Sequence, residues 1–239
     1  MNPRLFLVVS LVPLLALPAC KPKHATGTTI PTDVAKADMP ILPVTKGDVW
    51  NYEVTLDIPE NITSPGAAEV SQRFKRTRTY IGKISPAEGL PEVDCFEVAV
   101  PGSPVEREFV EIREDKILMR GSMIMRPDTT KPMWLDRPVP FVVAGMKPGT
   151  ETPEVSAPGG ALSRKTQVVA REAVTVKAGT FQSIRLLMTG MDGEIELRRT
   201  IWFTPGKGIV REEKSRYRKG ALIYRENQEL VEMKPGTGK

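Results

Sequence analysis

Histidine is almost absent from this chain of 239 residues, and its scarcity excludes several kinds of active site. The single histidine, His24, lies near the amino terminus in a stretch rich in Thr, Pro and Lys, and residues 25–239 contain none. A Ser-His-Asp triad, a Cys-His pair and a histidine-ligated zinc site are therefore unavailable to the folded part. We expect neither a metal site nor a cofactor.

Long apolar runs are missing except at residues 5–17, which form a short apolar core behind Arg4. That core is too short to span a bilayer comfortably, as in a secretory signal peptide. The next residues, "LPAC" (Leu17 to Cys20), resemble the lipobox at which bacteria attach a diacylglyceryl group to cysteine before cleavage. The sequence predicts a signal peptide over 1–19 and a lipidated Cys20. The alternative is a secreted protein in which Cys20 is incidental.

Cysteine is scarce too, which leaves the exported domain without a disulfide. If lipidation uses Cys20, then Cys95 has no partner, and the core alone must hold the fold together. We expect Cys95 to face inward beside Val93 as an inert thiol, since no C-x-x-C motif accompanies it. Residues 20–43 predict a lipidated, flexible tether. The net charge of +5 does not indicate a nucleic-acid partner.

Alternation of apolar and polar residues is abundant. In "WNYEVTLDI" (50–58) every second residue is apolar, a period that predicts a half-buried β-strand. Similar segments follow at 73–84, 92–100, 105–114, 116–125, 163–176, 180–190, 194–204, 208–217 and 221–233. No window has a convincing helical period, and short turns favour antiparallel neighbours. The sequence predicts an all-β fold with a single antiparallel, strongly curved sheet, half-barrel or sandwich-like, over residues 44–234, and a disordered tail at 235–239.

One stretch, residues 126–160, is rich in proline and poor in alternation. Proline cannot donate a hydrogen bond to a neighbouring strand, so this stretch predicts loop and edge structure. It is also the place where the β region could divide into two domains. We favour one continuous sheet, because each half alone would bury little apolar surface.

The segment "TPGKGIV" (204–210) raises the question of a phosphate-binding loop. A P-loop needs an earlier glycine, a following Ser or Thr, and a helix, and Gly206-Lys207-Gly208 has none of these. The segment therefore predicts a turn, in which Pro205 fixes φ and the glycines supply positive φ. We expect Gly179 to serve as a turn glycine in the same way.

Three segments together resemble a widespread group of uncharacterised bacterial envelope proteins and lipoproteins. The segments are "KGDVWNYEV" (46–54), "VTVKAGTFQSIRL" (174–186) and "IWFTPGKGIVREE" (201–213). The group shares a V-x-V-x-A-G-T-F segment and an aromatic pair followed by P-G-x-G-x-V. The resemblance implies an all-β, antiparallel, strongly curved fold and carries over no catalytic residues.

Acidic and basic side chains on the strands allow two further interpretations. Glu106 and Glu108 share a strand face, as do Glu194 and Glu196, so paired carboxylates could hydrolyse a glycan. We favour a solvated, ion-paired face instead. In "RFKRTR" (73–78), Arg76 and Arg78 share a face with Phe74, and we expect a solvated strand there rather than a patch for an acidic polymer.

The residues expected to line a core or a ligand cavity are aromatic residues and methionines. Methionines on one face of a curved sheet fill an irregular core or leave a concave surface for a lipid or peptide. The candidates are Trp50, Tyr52, Met119, Met123, Met125, Phe181, Trp202 and Phe203.

The sequence as a whole predicts a non-enzymatic lipoprotein that binds a partner protein or a lipid-like apolar ligand. Its place would be the cell envelope, lipid-anchored to the outer membrane and facing the periplasm, since Lys21 is not the aspartate associated with inner-membrane retention. The alternatives are a cell-wall glycan hydrolase using paired carboxylates and a structural subunit of an envelope complex.

Overall fold

A computed structural model of the chain describes residues 40–60, 68–128, 131–156 and 162–238. The predicted signal peptide, Cys20 and most of the tether lie outside these residues. All regular secondary structure in the described part is β-strand. That part contains no helix with the length and apolarity needed to cross a membrane.

Twelve strands follow one another in the described residues. Their bounds are β1 (Val49–Ile58), β2 (Val70–Ile84), β3 (Val93–Ala99), β4 (Glu106–Ile112), β5 (Lys116–Ile124), β6 (Met133–Val143), β7 (Val155–Ser156), β8 (Leu162–Val176), β9 (Gly179–Asp192), β10 (Ile195–Thr204), β11 (Gly208–Arg218) and β12 (Ala221–Lys234).

The strands form one sheet in the order β6-β5-β4-β3-β2-β1-β12-β11-β10-β9-β8-β7, and every pairing is antiparallel. Each half of the chain is a meander of neighbouring strands. The halves join in the middle, where β1 pairs with β12. The predicted all-β class and the single, antiparallel, curved sheet are confirmed.

The proline-rich stretch supplies both edges of this sheet. Its first part forms β6, a strand that the sequence pattern did not predict, and its last part forms the two-residue β7. β6 contains Pro138 and Pro140, which have no N–H group to donate. An edge strand tolerates this loss because it has a neighbour on one side only. The expectation of edge structure was right, but the stretch is less irregular than the sequence suggested.

Bulges curl the sheet. The pairing register shifts beside Tyr52, between Tyr80 and Gly82, between Met119 and Gly121, and between Trp202 and Phe203. Each bulge increases the local twist and bends its strand. The sheet curls until β6 approaches β8, where the Thr166 hydroxyl donates to the carbonyl oxygen of Pro140 at 3.2 Å. The result is a half-barrel with a concave face.

Gly121 marks a close approach between two strands near this edge. A β-carbon at Gly121 would lie 2.1 Å from the carbonyl oxygen of Met133, which is much closer than a non-bonded carbon and oxygen can approach. The backbones of β5 and β6 therefore approach each other where only glycine fits.

Apolar side chains fill one end of the concave face, which we call the closed end. It comprises residues 41–48, the turn at 205–208 and residues 236–238, together with the strand ends they cover. Ile41 and Leu42, placed in the tether by the sequence, are buried in this core. The structural domain thus begins earlier than residue 44.

The carboxy terminus also packs against the closed end. The backbone N–H of Gly236 donates to the carboxylate of Asp48 at 2.6 Å, and that of Gly238 donates to the carbonyl oxygen of Lys46 at 3.2 Å. The tail predicted to be disordered at 235–239 is therefore hydrogen-bonded as far as Gly238. Both chain ends of the domain meet here.

The segments that carry the family resemblance meet at the closed end as well. The Trp50 indole N–H donates to the carbonyl oxygen of Lys207 at 2.6 Å, and the Tyr52 hydroxyl donates to that of Ile209 at 3.0 Å. These bonds reach across β12 and fasten β1 to the turn before β11. Gly206 and Gly208 have φ values of 75° and 89°, the conformation expected of turn glycines. In this chain the segments 46–54 and 201–213 thus have a structural role.

A second, smaller apolar cluster contains Val93, Cys95 and Phe109, with Met123 and Trp134 packed against it. Cys95 is fully buried beside Val93, as the sequence indicated. It does not face the main core, because Phe96, the next residue on β3, belongs to that core. Burial raises the pKa of the Cys95 thiol to about 12, which keeps it protonated and unreactive at neutral pH.

Candidate functional site

The second half of the concave face, which we call the open end, is charged and hollow. It lies toward Glu106 on β4, Ser122 on β5, Thr189 on β9 and Leu197 on β10, away from the buried turn at 205–208. A cavity of about 260 Å³ opens here. Its walls come from β4, β5 and β6 on one side and from β8, β9, β10 and β11 on the other, so the curl of the sheet creates it.

Apolar side chains form much of the cavity wall. Several of them are flexible methionines, and Met133 stands exposed at the mouth. Methionine adapts to irregular shapes better than branched residues do, which suits a surface that accepts a guest. The apolar wall residues are Met119, Met133, Leu135, Val139, Val155, Met188 and Leu197.

Only one of the three methionines predicted to share a face lines this cavity. Met119 does, whereas Met123 packs against the second cluster that contains Cys95. The bulge at Arg120 shifts the register between them and reverses the side-chain alternation, so the predicted common face is wrong. Met125 follows the end of β5, and its backbone N–H donates to the carbonyl oxygen of Val105.

The predicted aromatic candidates are core residues rather than walls of the main cavity. Trp50, Tyr52 and Phe203 are almost fully buried, and Phe181 packs against the same core. Tyr52 also borders a second, smaller recess, and Phe203 borders a narrow void deeper in the interior. The indole N–H of Trp202 donates to the Glu172 carboxylate.

Buried ion pairs cross the floor of the open end. Arg76 on β2 donates to both oxygens of Glu226 on β12, at 2.7 and 2.8 Å. Arg199 on β10 pairs with Glu212 on β11, which is 2% exposed. Lys214 lies 3.2 Å from Glu226. These ion pairs connect β2, β10, β11 and β12 across the concave face.

The carboxylates of this network are held in their charged form. Burial alone would raise the pKa of Glu226, but the hydrogen bond from Arg76 and the charge of Lys214 outweigh it and hold the pKa far below its ordinary value. Burial is likewise outweighed at Glu212, where Arg199 and Lys214 lower the pKa. The site therefore remains ionised at neutral pH.

The basic run at 73–78 is partly inside the molecule. Its face assignment is right, since Arg76 and Arg78 lie on the side of Phe74, but the expected solvated strand is wrong for these two arginines. Arg78 donates to the Glu108 carboxylate at 2.9 Å, and its guanidinium lies 3.5 Å from the centre of the Phe96 ring. Both arginines face acids on the concave side.

Glu106 and Glu108, one of the carboxylate pairs noted in the sequence, both line the cavity. Burial raises the pKa of Glu106, and the negative charge of Glu108 adds to the effect. Burial would also raise the pKa of Glu108, but Arg78 outweighs it and holds that pKa below its ordinary value. The other pair differs, because Glu194 is exposed and Glu196 forms an exposed ion pair with Arg198.

Two cations of the cavity, Arg164 and Arg216, have no ion-pair partner among the described residues, and Arg164 is the more buried of them. Arg164 extends from β8 toward β5, where its Nη1 atom lies 4.0 Å from the sulfur of Met119. Its Nε atom is buried and has no hydrogen-bond partner in the part of the chain that the structure describes. Burial and the charges of Arg199 and Arg216 lower the pKa of Arg164. A buried cation without an acidic partner would be stabilised by the negative charge of a bound ligand.

Sequence reasoning missed Arg164, Arg199, Glu212 and Lys214 as site residues. The signal that could have found them is parity. Arg199 lies in phase with Ile201 and Phe203 on β10, so it points to the side on which the core forms. A charge in phase with the buried face of a strand indicates a buried polar site.

The described residues contain no group of three or more His, Cys, Asp or Glu side chains placed to hold a metal ion. Asp94 is buried but structural, since it accepts hydrogen bonds from the Tyr80 hydroxyl at 2.7 Å and from the backbone N–H of Ile112 at 3.1 Å. What the open end offers is a small recess with an apolar wall and fixed charges.

No protein-family model matches the chain, and no curated protein matches it significantly. Two solved structures are similar to it. One is a protein from Bacteroides fragilis described as exported, with a YmcC-like fold; it is 14% identical, has a TM-score of 0.46, and the match covers 81% of this chain and 98% of that one. The other, from Parabacteroides distasonis, is described as a lipoprotein; it is 14% identical, has a TM-score of 0.44, and the match covers 82% and 98%. Likeness at this level says nothing about a ligand.

Proposed function

We propose that this chain is a lipid-anchored envelope protein whose half-barrel binds a small apolar ligand in the open-end cavity. The observation that carries the proposal is the cavity of about 260 Å³ between the two curled edges, lined by Met119, Met188 and Leu197. Ligand sites are concave and mostly apolar, with a few fixed polar groups, and this cavity has that composition. Its volume suits a small ligand or one end of a longer one.

The contrast between the two ends of the concave face supports binding over packing alone. Trp50, Phe203 and Ile209 fill the closed end, so apolar side chains of the required size exist in this chain. At the open end the sheet instead places methionines and charged residues around open space. A protein core closes such space, whereas a binding site keeps it.

The cavity is tested with an apolar fluorescent probe whose emission rises on burial, and with a matched pair of variants. Met119→Trp narrows the cavity, and we expect at least a tenfold loss of probe affinity. Met123→Trp is the control, because this methionine lies on the same strand but packs in the second cluster. Equal probe binding by both variants and the wild type would show that the cavity is not the site.

The anchor rests on the lipobox at Leu17–Cys20. Two acyl chains bind a membrane firmly, at about 0.8 kcal/mol per buried methylene. We expect Cys20→Ser to move the protein from the membrane fraction to the soluble fraction. An unchanged membrane fraction would contradict the anchor and leave the cavity proposal untouched. Outer-membrane placement facing the periplasm is part of the proposal, and density separation of the membranes tests it.

A second candidate is hydrolysis of a glycan by Glu106 and Glu108. The observation in its favour is that the environment drives the two pKa values apart, as in carboxylate pairs that divide acid and base roles. Against it, Arg78 occupies Glu108 in an ion pair. Turnover of a cell-wall glycan that Glu106→Gln abolishes would favour the hydrolase over the binding module.

A partner protein is the other occupant that the fold allows. The exposed apolar side chains Ile124, Met133 and Met191 would then contact that protein. Co-purification from native membranes separates the cases, because a bound lipid and a bound protein are identified in the same experiment. We favour the small ligand, because Met133 also lines the open-end cavity that such a ligand would fill.

A further inference from the structure

The open-end cavity combines an apolar wall with a surplus of positive charge. Glu226 pairs with Arg76 and Lys214, Glu212 pairs with Arg199, and Glu108 pairs with Arg78. Among the charged residues that line the cavity itself, Glu108, Arg198, Arg199 and Lys214 belong to ion pairs. Those without an ion-pair partner in the described part are Arg164, Arg216 and Glu106.

Arg164 is the most constrained of these three side chains. It is half-buried, lines the cavity together with Met119 and Met188, and has no acceptor for its Nε–H among the described residues. A buried donor left unpaired is destabilising, and more so when the group is charged. The contact that its Nη1 atom makes is with a thioether sulfur, which is a weak acceptor. The guanidinium is therefore positioned to receive an oxygen acceptor from a guest.

Arg216 also lines the cavity, at a more exposed position, and adds a second positive charge to that of Arg164. It is exposed, and its guanidinium lies 5.1 Å from the centre of the Tyr224 ring, which orients it without neutralising it. Its positive charge helps to depress the pKa of Arg164, so the two cations act on a common space. One bound anion would offset the repulsion between the two guanidinium groups.

Glu106 is the acid that could oppose this arrangement. Burial and Glu108 raise its pKa, so its negative charge is the least firmly held among the acids of the cavity. Glu106 is also the one acid lining the cavity that has no ion-pair partner among the described residues, so it is the unpaired negative charge that a ligand anion there would face.

We infer that the cavity takes an anionic amphiphile, with its phosphate, sulfate or carboxylate group at Arg164 and Arg216 and its apolar part against Met119, Met188 and Leu197. The inference rests on the proposed function and names the ligand class for that same cavity. Arginine suits this role because its planar fork donates two parallel hydrogen bonds to an oxyanion. Met119, Met188 and Leu197 then exclude water from the chain of the guest.

The test uses dansyl-labelled undecanoate and its methyl ester, which share an apolar part and differ in charge. The full chain carrying Cys20→Ser is used, so that no detergent competes for the probe. A hydrogen bond to a charged group contributes about 1.5–3 kcal/mol, so we expect the acid to bind roughly ten- to a hundredfold more tightly than the ester. High salt should weaken binding of the acid and leave the ester unchanged.

Two arginine variants assign the charge preference to its residue. Arg164→Met keeps the apolar stem, and we expect it to remove most of the acid-to-ester preference, with Arg216 supplying what is left. Arg73→Met removes the same charge from an exposed position on β2 that does not line the open-end cavity, and it should retain the preference. A preference that is equally large in Arg164→Met and Arg73→Met overturns the inference.

The remaining outcomes separate this inference from the function on which it rests. Equal binding of acid and ester to the wild type overturns the anionic head group and keeps the apolar-ligand proposal. Binding of neither probe overturns both. Inorganic phosphate, which has the charge without the chain, should displace the acid far less well than unlabelled undecanoate does; equal displacement would overturn the amphiphile and leave an anion site. If Arg164→Met does not fold, the ratio of the acid and ester affinities of the wild type, together with its salt dependence, still tests whether the cavity prefers an anion.

Discussion

The two ends of the concave face share strands but differ in charge, because apolar side chains fill the closed end and buried ion pairs accompany the apolar wall of the open end. On β10, Phe203 and Ile201 are buried toward the closed end, and Arg199 takes the next position on the same face. On β2, Tyr80 belongs to the core, and Arg78 and Arg76 follow it toward the open end. On these two strands the change from apolar to charged side chains occurs between neighbouring positions of one face, so it follows the strand axis.

This division separates stability from function. Burial of apolar surface contributes about 25 cal/mol per Å², so the aromatic closed end supplies the favourable free energy that holds the sheet. Buried ion pairs give little net stability, because desolvation of the charges offsets their attraction. The open end is therefore a costly arrangement for a core and a useful one for a binding site.

The largest effect should follow from breaking an ion pair at the open end. Arg199→Met leaves the buried Glu212 with the Lys214 charge and a hydrogen bond from Gln228, and removal of one partner of a buried pair costs about 3–5 kcal/mol. We expect the free energy of unfolding, measured by urea denaturation, to fall by an amount in this range.

The neighbouring arginine provides the matched control. Arg198 points to the other side of β10, where it pairs with Glu196 and is 54% exposed. Arg198→Met should cost only about 0–1 kcal/mol, the usual range for an exposed pair. Equal losses in the two variants would mean that the concave face is no more buried than the outer face, and the comparison of the two ends would fail.

A smaller effect is expected at the closed end from Gly208→Val. Gly208 has φ of 89°, and a β-carbon there would lie 3.5 Å from the indole nitrogen of Trp50 and 3.6 Å from Leu42. A β-branched residue held at this φ costs about 1–3 kcal/mol, which should lower the melting temperature. Gly206→Val shares the positive φ but has open space around the new side chain, so it should cost less. An unaltered melting temperature for Gly208→Val would contradict the packing described for this turn.

The fold was largely predictable because its signal is local. Period-two alternation in segments such as 50–58 determines which face of a strand is buried, and short turns between strands determine their pairing. β6 escaped prediction because Pro138 and Pro140 interrupt its pattern, and proline is acceptable there only at an edge, which is a property of the finished sheet.

The candidate site was less predictable because it depends on distant strands and on bulges. Met119 and Met123 would share a face in a regular strand, and the bulge at Arg120 separates them. The buried charges were misjudged for a related reason. Burial of Arg76 is tolerated because the carboxylate of Glu226 on β12 compensates its charge. Glu226 lies 150 residues away in the sequence, so no local pattern reveals this partner.

The last prediction uses acid to distinguish the ends. The pKa of Glu226 is lowered in the folded state from an ordinary value of 4.5, because Arg76 and Lys214 outweigh the effect of burial. A lowered pKa means that Glu226 contributes its full stability above about pH 4.5, and that this contribution is lost as the pH falls toward the folded pKa. In Glu226→Gln this titration is absent. The difference in unfolding free energy between wild type and variant should therefore shrink by about 1.4 kcal/mol per pH unit between about pH 4.5 and pH 3.

Glu196→Gln, which changes an exposed carboxylate, should show a small difference throughout. A constant difference for Glu226→Gln would mean that the carboxylate is not held by the network, and the open end would then be an ordinary solvated surface.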